Sequence, residues 1–281
     1  MIKAFVVGHP IRHSRSPLIH GHWIGELGLA GSYERIDVPP AEFKDFLTSL
    51  SARGFAGGNV TIPHKEAAFA TVARRTARAE RIGAVNTVWL EDGVLWGDNT
   101  DAAGFVDNLV QSVGTNWAAS VDTALVIGAG GAARAVVAGL QDCAMRRILV
   151  VNRTTGKADA LVQDLAREGG PALVSATWEA LPALVPQAGL IVNTTSLGMT
   201  RQPPLDLDLS SAKHDAIVAD LIYAPLKTAL LRDAEKHGLR IVGGLGMLLH
   251  QAVPGFARWF GVTPQVTPAL EAVILRDLSG N

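Results

Sequence analysis

A strand, a glycine-rich turn and a helix follow one another between residues 123 and 138, in the segment TALVIGAGGAARAVVA. Residues 123–127 are mostly apolar and branched, which is typical of a strand buried in a parallel sheet. Glycines after such a strand let a phosphate approach the backbone, where the N–H groups and positive dipole end of the next helix favour an anion. An ordinary tight turn is the alternative reading of this segment. We predict a dinucleotide site formed by Gly128, Ala129, Gly130, Gly131 and Ala132.

The residues after the next predicted strand, 147–151, indicate which dinucleotide would bind. An NAD site usually has an acidic residue there for the ribose 2′-hydroxyl. This sequence has Asn152, Arg153 and Thr154 instead, with Lys157 one helical turn further on. A guanidinium can pair with a 2′-phosphate through two parallel hydrogen bonds, whereas a carboxylate would repel it. These residues therefore predict NADP, with a solvated Arg153 at the start of a helix as the alternative.

The order of elements predicts an α/β protein with two domains. Residues 1–108, together with 246–281, are expected to form a mixed α/β substrate-binding and catalytic domain. Residues 109–245 alternate between strands and helices, which indicates a doubly wound Rossmann domain that binds NADP. The helix expected at 247–260 and the tail from Pro268 should pack on the first domain.

Composition limits the classes of partner. The chain has 281 residues, 48% of them hydrophobic, and a formal net charge of −1. A nearly neutral chain argues against nucleic acid or an anionic membrane as the main partner. The single cysteine, Cys143, excludes an internal disulfide and favours a reducing compartment, so a cytoplasmic protein is expected. The oligomeric state, a homodimer included, is left open by the sequence.

Several polar residues fall at strand ends of the first domain, where open sheets of this kind place their ligands. Thr61 and Lys65 lie beside a proline turn, Asn86 lies on a strand, and Asp101 opens a helix. A lysine and an aspartate that meet in a cleft can pair and move a proton. Taken singly, each has a simpler reading: a surface lysine, a helix cap or a turn residue.

Eight motifs in a fixed order carry a resemblance to a known family: HSRSP, NVTIPHK, GAVNT, GDNTDAAGF, GAGGAARA, NRT, NTTSLGM and GGLGMLLHQA. In this order they resemble the shikimate dehydrogenases. The resemblance implies NADP-dependent, reversible reduction of 3-dehydroshikimate to shikimate in chorismate and aromatic amino acid biosynthesis. A paralogue that acts on quinate and a non-catalytic NADP-binding regulator are the alternatives. The presence of both Lys65 and Asp101 argues against the regulator.

The resemblance also implies residue roles. Lys65 and Asp101 would be the catalytic pair. Ser14 and Ser16 would bind the substrate carboxylate, and the other substrate contacts would be Thr61, Asn86, Tyr223 and Gln251. Leu221 and Gly244 would line the cofactor with the glycine turn and the segment from Asn152 to Lys157. One departure concerns Lys157, where arginine is common in the family, because an ammonium group lacks the fork geometry of a guanidinium.

The two serines can be examined further. We expect HSRSP to be extended, so that the hydroxyls of Ser14 and Ser16 project to the same side. Ser16 should then cap a helix that starts near Leu18. Arg12 or Arg15 could bind the anion instead.

Four histidines near the start of the chain, His9, His13, His20 and His22, raise the possibility of a metal site. No carboxylate or cysteine falls at ligand spacing beside them, and the HEXXH pattern is absent. No metal is predicted.

Overall fold

The structure is a computed structural model that describes residues 1–279. The chain divides into two units, of which the first comprises Met1–Thr100 with Leu249–Asn281 and the second comprises Asp101–Leu248. The predicted boundary after residue 108 cuts the helix Asp101–Val113, whereas the units divide before it. That helix belongs with the second unit because Phe105 and Leu109 join its core.

The first unit contains a mixed six-stranded sheet, as predicted for this part of the chain. Its strands are β1 (Ile2–Gly8), β2 (Gly31–Asp37), β3 (Gly57–Val60), β4 (Arg74–Arg75), β5 (Thr87–Glu91) and β6 (Val94–Asp98). Their order is β2-β1-β3-β5-β6-β4. Strand β1 pairs in parallel with β2 and β3, while β5 is antiparallel to β3 and to β6. The carboxyl ends of β1 and β3 therefore lie at one edge of the sheet.

Four helices connect these strands: α1 (Ser16–Glu26), α2 (Phe43–Thr48), α3 (Lys65–Thr71) and α4 (Ala77–Ile82). Their apolar side chains, with those of the strands, form a core that includes Phe5, Phe43 and Val60. Strand β4 and helix α4 were not predicted.

The second unit is a parallel six-stranded sheet in the order β12-β11-β10-β7-β8-β9. Its strands are β7 (Thr123–Ile127), β8 (Arg147–Val151), β9 (Ala172–Ala176), β10 (Leu190–Asn193), β11 (Ile217–Asp220) and β12 (Arg240–Val242). The helices are α5 (Asp101–Val113), α6 (Gly131–Gln141), α7 (Thr155–Leu165), α8 (Leu181–Leu184) and α9 (Ala229–Lys236). Helix α10 (Gly244–His250) begins in this unit, and its last two residues belong to the first. The predicted doubly wound fold is confirmed.

The packing of β7 explains why it is apolar from Ala124 to Ile127. Val126 belongs to one core cluster of the second unit, whereas Leu125 and Ile127 belong to another. Successive side chains of a strand point to opposite faces, so helices on both faces require a continuous apolar run.

Two further helices, α11 (Ala252–Phe260) and α12 (Pro268–Leu278), return to the first unit. Both pack against α1, and α11 also contacts β3 and β5. The expected return of the tail is therefore observed, although the single helix predicted at 247–260 is two helices that meet at Gln251. Within residues 1–279, no helix is long and apolar enough to cross a membrane.

Candidate active site

The two serines predicted to bind a carboxylate lie where β1 leads into α1: Ser14 is in the turn, and Ser16 is the first residue of α1. The Ser14 hydroxyl donates to the Ser16 hydroxyl at 3.3 Å, and Ser14 Oγ also accepts a hydrogen bond from the Ser16 N–H. The expected extended segment is wrong, because Arg15 has helical φ and ψ angles and α1 already begins at Ser16. Ser16 is thus inside the helix rather than its cap. The turn, not an extended strand, brings the two hydroxyls together.

Both arginines of this turn have other partners. Arg15 Nε donates to the Asp277 carboxylate of α12 at 2.9 Å. Arg12 Nε donates to His13 Nε2 at 3.0 Å. These contacts draw the guanidinium groups toward neighbouring side chains of the first unit, which favours the serines over the arginines as the anion-binding groups.

Thr61 and Lys65 follow β3, on either side of a proline turn. The Thr61 N–H donates to the Val7 carbonyl at 2.9 Å, which holds the segment against the end of β1. A Cβ at Gly8 would lie 2.7 Å from the Thr61 methyl group, so the close approach requires glycine there. Lys65 opens α3 and is half-buried, and its carbonyl accepts from the Val85 N–H.

His64, next to Lys65, is a structural anchor for this turn. It is buried, its ring stacks on Phe43 at 4.3 Å, and its Nε2 lies 2.8 Å from the Val38 carbonyl oxygen. Burial lowers the pKa of His64, while the hydrogen bond to Val38 acts in the opposite direction. The uncharged ring keeps the start of α3 in place.

Asn86 immediately precedes β5 rather than lying on a strand as predicted, and it ends a chain of buried hydrogen bonds. Its side-chain oxygen accepts from the N–H of Thr100 at 2.8 Å and from the hydroxyl of Thr87 at 2.9 Å. Asn59 Nδ2 donates to the Thr87 hydroxyl at 3.2 Å, and the Tyr33 hydroxyl donates to Asn59 Oδ1 at 2.5 Å. The orientation of the Asn86 amide is therefore fixed by its neighbours, as a binding residue requires.

Asp98 holds the segment that leads to Asp101. Its carboxylate pairs with the Arg78 guanidinium and accepts hydrogen bonds from the Thr76 hydroxyl and the Asn99 N–H. Asp98 is buried, so its charge requires these partners. Sequence reasoning missed this pair, because Arg78 lies on a helix that was not predicted.

The remaining predicted residues can be placed within their own units. Asp101 is the first residue of α5 in the second unit, whereas Lys65 belongs to the first unit. Gln251 lies between α10 and α11 in the first unit, and Tyr223 follows β11 in the second. The pairing of Lys65 with Asp101 stays a prediction.

The glycine turn of the second unit has the form expected of an anion site. Gly128 has φ +116°, and a Cβ there would lie 2.4 Å from Thr194 Oγ1, so only glycine fits. Helix α6 then begins with Gly130 as its N-cap and with no side-chain cap. A Cβ at Gly130 or Gly131 would meet nothing within 4 Å, which leaves the N–H groups of the first turn accessible.

The segment after β8 is basic and exposed. Arg153 and Lys157 are both exposed, and neither forms an ion pair within residues 1–279. Asn152 Nδ2 donates to the Thr154 carbonyl at 2.9 Å, which closes the turn into α7. Two exposed cations in this segment suit a phosphate group better than a free ribose hydroxyl.

A buried carboxylate, Asp220, organises the loop after β11. It accepts hydrogen bonds from Asn193 Nδ2 at 3.1 Å, from the Ile222 N–H at 3.1 Å and from the Thr228 hydroxyl at 2.7 Å. Burial raises the pKa of Asp220, and the three hydrogen bonds act against that rise. The loop carries Tyr223. The sequence assigns Asp220 no role, since a single buried aspartate leaves no periodic signal.

Leu221 and Gly244, both predicted to line the cofactor, are adjacent. The Gly244 N–H donates to the Ile222 carbonyl at 3.2 Å, and a Cβ at Gly244 would lie 2.1 Å from the Leu221 carbonyl oxygen. The turn is also held by Asn108 of α5, whose Nδ2 donates to the Gly243 carbonyl at 2.9 Å. The approach of two main chains explains the glycine at 244.

The second unit therefore fits NADP in three respects: an open helix N-terminus, glycines where the backbone must come close, and exposed cations after β8. Within residues 1–279, no group of three or more His, Cys, Asp or Glu side chains is arranged to hold a metal ion.

A doubly wound unit with these features, joined in one chain to a unit with a preorganised polar strand edge, defines a dinucleotide-dependent dehydrogenase. Residues 6–88 match the shikimate dehydrogenase substrate binding domain, residues 109–199 match shikimate/quinate 5-dehydrogenase, and residues 244–274 match the shikimate 5'-dehydrogenase C-terminal domain. The chain belongs to the shikimate dehydrogenase family.

Individual relatives agree with this assignment. A protein from Methylobacterium radiotolerans, named shikimate dehydrogenase (NADP(+)), is 60% identical over 280 residues, which cover 99% of this chain and 98% of the relative. The Thermus thermophilus shikimate 5-dehydrogenase, solved in complex with NADP(H) and shikimate, is 37% identical with a TM-score of 0.85 and covers 98% of this chain and 99% of its own. A Corynebacterium glutamicum quinate dehydrogenase, solved with NAD, is 30% identical with a TM-score of 0.90 and covers 98% of both chains. The resemblance predicted from the eight motifs is confirmed.

Proposed function

We propose that this chain catalyses the reversible, NADP-dependent reduction of 3-dehydroshikimate to shikimate, a step of chorismate and aromatic amino acid biosynthesis. One observation carries the proposal: the M. radiotolerans relative named shikimate dehydrogenase (NADP(+)) matches 60% of the residues over 99% of this chain. The geometry of both units supports the same reaction. NADPH, when bound, supplies the hydride that reduces the ketone carbon.

In this proposal the second unit binds NADP. The N–H groups at the start of α6 would bind the pyrophosphate, and Arg153, with Lys157, would pair with the 2′-phosphate. Leu221 and Gly244 would line the pocket where their main chains meet. The first unit would bind the six-carbon ring of the substrate at the carboxyl ends of β1 and β3.

Lys65 is the proposed acid–base residue. During reduction its ammonium group would donate a proton to the ketone oxygen while the carbon accepts the hydride, so that an alcohol forms. In the reverse direction the neutral amine would take the hydroxyl proton. Asp101 would pair with Lys65 and orient it, since an opposite charge close to an ammonium group stabilises its charged form.

The remaining polar residues are the proposed substrate contacts. Ser14 and Ser16 would each donate a hydrogen bond to the substrate carboxylate. Thr61, Asn86, Tyr223 and Gln251 would contact the hydroxyls or the carboxylate. Because the Asn86 oxygen is already held by Thr87 and Thr100, its NH₂ group is the end that would reach a substrate oxygen.

We also infer a cytoplasmic protein with no nucleic acid or membrane partner. The net charge of −1 and the single cysteine support this inference.

The test is a steady-state assay that follows reduced nicotinamide, with shikimate or quinate as substrate and NADP or NAD as cofactor. We expect the highest kcat/KM for shikimate with NADP. A higher kcat/KM for quinate would identify the chain as a paralogue that acts on quinate. The similarity to the C. glutamicum quinate dehydrogenase makes this the main alternative hypothesis. Binding of NADP without turnover of either substrate would identify a regulator and contradict the proposal.

A further inference from the structure

His20 of α1 is fully buried among aromatic rings. Its ring stacks on Tyr33, with centroids 4.0 Å apart and planes 13° from parallel, and lies nearly parallel to Phe256 at 5.9 Å. The rings of Trp23 and Trp259 approach it at 5.6 Å and 5.5 Å. Four large side chains thus fix the plane of one small ring.

The chemistry of this site is unusual for a histidine. Within residues 1–279, neither ring nitrogen of His20 makes a hydrogen bond of ordinary geometry. Burial lowers its pKa to about 3, although the nearby Asn59 side chain opposes that shift. The ring is therefore uncharged at neutral pH. A buried polar ring without well-formed hydrogen bonds costs stability, and the stacking contacts around it must offset that cost.

The stacked neighbour of His20 begins the hydrogen-bond chain of the first unit. The Tyr33 hydroxyl donates to Asn59, which donates to Thr87 and to the main-chain carbonyl of Asn86. Burial raises the pKa of the Tyr33 hydroxyl well above its ordinary value, so it stays a proton donor. The position of the Tyr33 ring thereby affects how firmly Asn86 is held.

Tyr33 also connects to the serine turn. The Ser16 hydroxyl is close enough to act on the ionisation of Tyr33, lowering the pKa against the effect of burial. His20 lies four residues after Ser16 on α1, so both side chains lie on the same face of the helix. His20 is thus about one helical turn from Ser16, and its stacked partner Tyr33 is bonded to Asn59.

We propose that His20 is a positioning residue for substrate binding: its uncharged ring stacks on Tyr33 and holds the Tyr33 hydroxyl on Asn59, which keeps Ser16 and Asn86 in their binding positions. The inference rests on the proposed function, in which Ser16 and Asn86 contact the substrate. In this proposal His20 acts through the shape of its ring and its stacking on Tyr33, and it transfers no proton.

Two apolar substitutions separate stacking from the ring nitrogens. His20→Phe removes both nitrogens but keeps a flat ring against Tyr33. His20→Leu removes the nitrogens and the flat face. His22→Leu is the matched control, because His22 lies on the same helix and stacks on none of these rings.

The kinetic test measures kcat, the KM for shikimate and the KM for NADP in each variant. We expect His20→Leu to raise the KM for shikimate about tenfold or more, because Ser16 and Asn86 would no longer be held in position and their contacts with the substrate would weaken. The KM for NADP should stay unchanged in all variants, and His20→Phe and His22→Leu should match the wild type. An unchanged shikimate KM in His20→Leu, equal damage in His20→Phe, or a parallel rise in the KM for NADP would overturn the proposal.

A double-mutant cycle tests the route through Tyr33. Tyr33→Phe keeps the stacked ring and removes the hydroxyl, so it should raise the KM for shikimate by itself. Adding His20→Leu to Tyr33→Phe should then raise it little further, because both changes break one interaction. Fully additive effects would contradict the route.

A substrate-free measurement separates this inference from the proposed function. In crystal structures of the wild type and His20→Phe, the Tyr33 hydroxyl should lie on Asn59, and in His20→Leu it should not. If His20→Leu fails to fold, the KM values for shikimate of Tyr33→Phe and His20→Phe still test the proposal. If the wild type does not turn over shikimate, the proposed function fails. If the hydrogen bond between Tyr33 and Asn59 survives in His20→Leu, the role of His20 is overturned, whether or not the wild type turns over shikimate.

Discussion

The hydroxyl of Thr228 donates a hydrogen bond of 2.7 Å to the carboxylate of Asp220, eight positions earlier in the chain, and thereby closes the loop that carries Leu221 and Tyr223. Both partners are buried. The loop follows β11 at the carboxyl edge of the second sheet, where doubly wound proteins bind their ligands.

Thr228→Val should therefore affect stability and binding together. The substitution keeps the shape and leaves a buried carboxylate short of one donor, which should lower the free energy of unfolding by about 1–3 kcal/mol. The KM values for NADP and shikimate should both rise, because the loop carries a proposed contact to each. Denaturant unfolding and steady-state kinetics provide the measurements. Thr200→Val is the control: its hydroxyl contacts the Ala224 carbonyl, which the Thr200 N–H already bonds.

Arg153→Asp should change the choice of cofactor. Losing a charge-assisted pair with the 2′-phosphate costs about 1.5–3 kcal/mol, and the new carboxylate adds repulsion. We expect the dissociation constant for NADP to rise at least tenfold, while that for NAD changes little. Isothermal titration with each cofactor measures this, with Lys236→Asp as an exposed control on α9. Equal NADP affinity in mutant and wild type would remove Arg153 from the 2′-phosphate site.

Lys65→Ala should slow turnover and spare cofactor binding. Loss of a general acid–base group lowers kcat by roughly 10²–10⁴. The NADP dissociation constant should not change, because Lys65 belongs to the first unit and the glycine turn to the second. Lys44→Ala, on the exposed face of α2, is the control. Normal turnover of Lys65→Ala at saturating shikimate would reduce Lys65 to a binding residue.

His20 should also make stability depend on pH. The unfolded chain takes up a proton on His20 below its ordinary pKa of 6.5, whereas the folded chain does so only near pH 3. Because the unfolded state binds more protons between these values, stability falls as the pH is lowered through this window. At pH 5.5 the loss from this group is about 1.4 kcal/mol relative to pH 7.5.

His20→Phe removes that contribution and keeps the others, including the lowered pKa of His64. The free energy of unfolding of the wild type should therefore fall more than that of His20→Phe between pH 7.5 and pH 5.5. Urea titrations at the two pH values give the difference, and identical falls in both proteins would mean that His20 is accessible to protons when folded.

The sequence predicts best where a long local pattern decides the structure. The strands at 123–127 and 147–151 were predicted with the bounds that the structure has. Each is an apolar run that a polar or glycine-rich segment ends, which suits a sheet covered on both faces. By contrast, β4 has two residues, and it is a strand only because it pairs with β6. Pairing between distant segments leaves no local signal.

The residues of the candidate site likewise divide into those that a local pattern predicts and those that depend on distant contacts. Motif residues such as Lys65 and Arg153 were predicted, because their side-chain chemistry and their positions in the motifs can be read directly from the sequence. Tyr33 and His20 were not assigned a role, because their significance comes from a stacking contact and from a hydrogen bond to Asn59, 26 positions away from Tyr33. Such contacts follow from tertiary packing.

The two serines of the turn before α1 provide the last test. Their hydroxyls are 3.3 Å apart, whereas Arg15 is paired with Asp277 at 2.9 Å. A hydrogen bond to a charged group contributes about 1.5–3 kcal/mol, so Ser16→Ala should raise the KM for shikimate by about one to two orders of magnitude. Turnover should fall less, because the charge of the carboxylate does not change in the reaction. Arg15→Ala should leave that KM near the wild-type value and lower stability slightly through the lost pair with Asp277. Parallel kinetic titrations of the two variants decide between the two residues. A large rise in the KM for shikimate in Arg15→Ala, with none in Ser16→Ala, would assign carboxylate binding to Arg15 instead of Ser16.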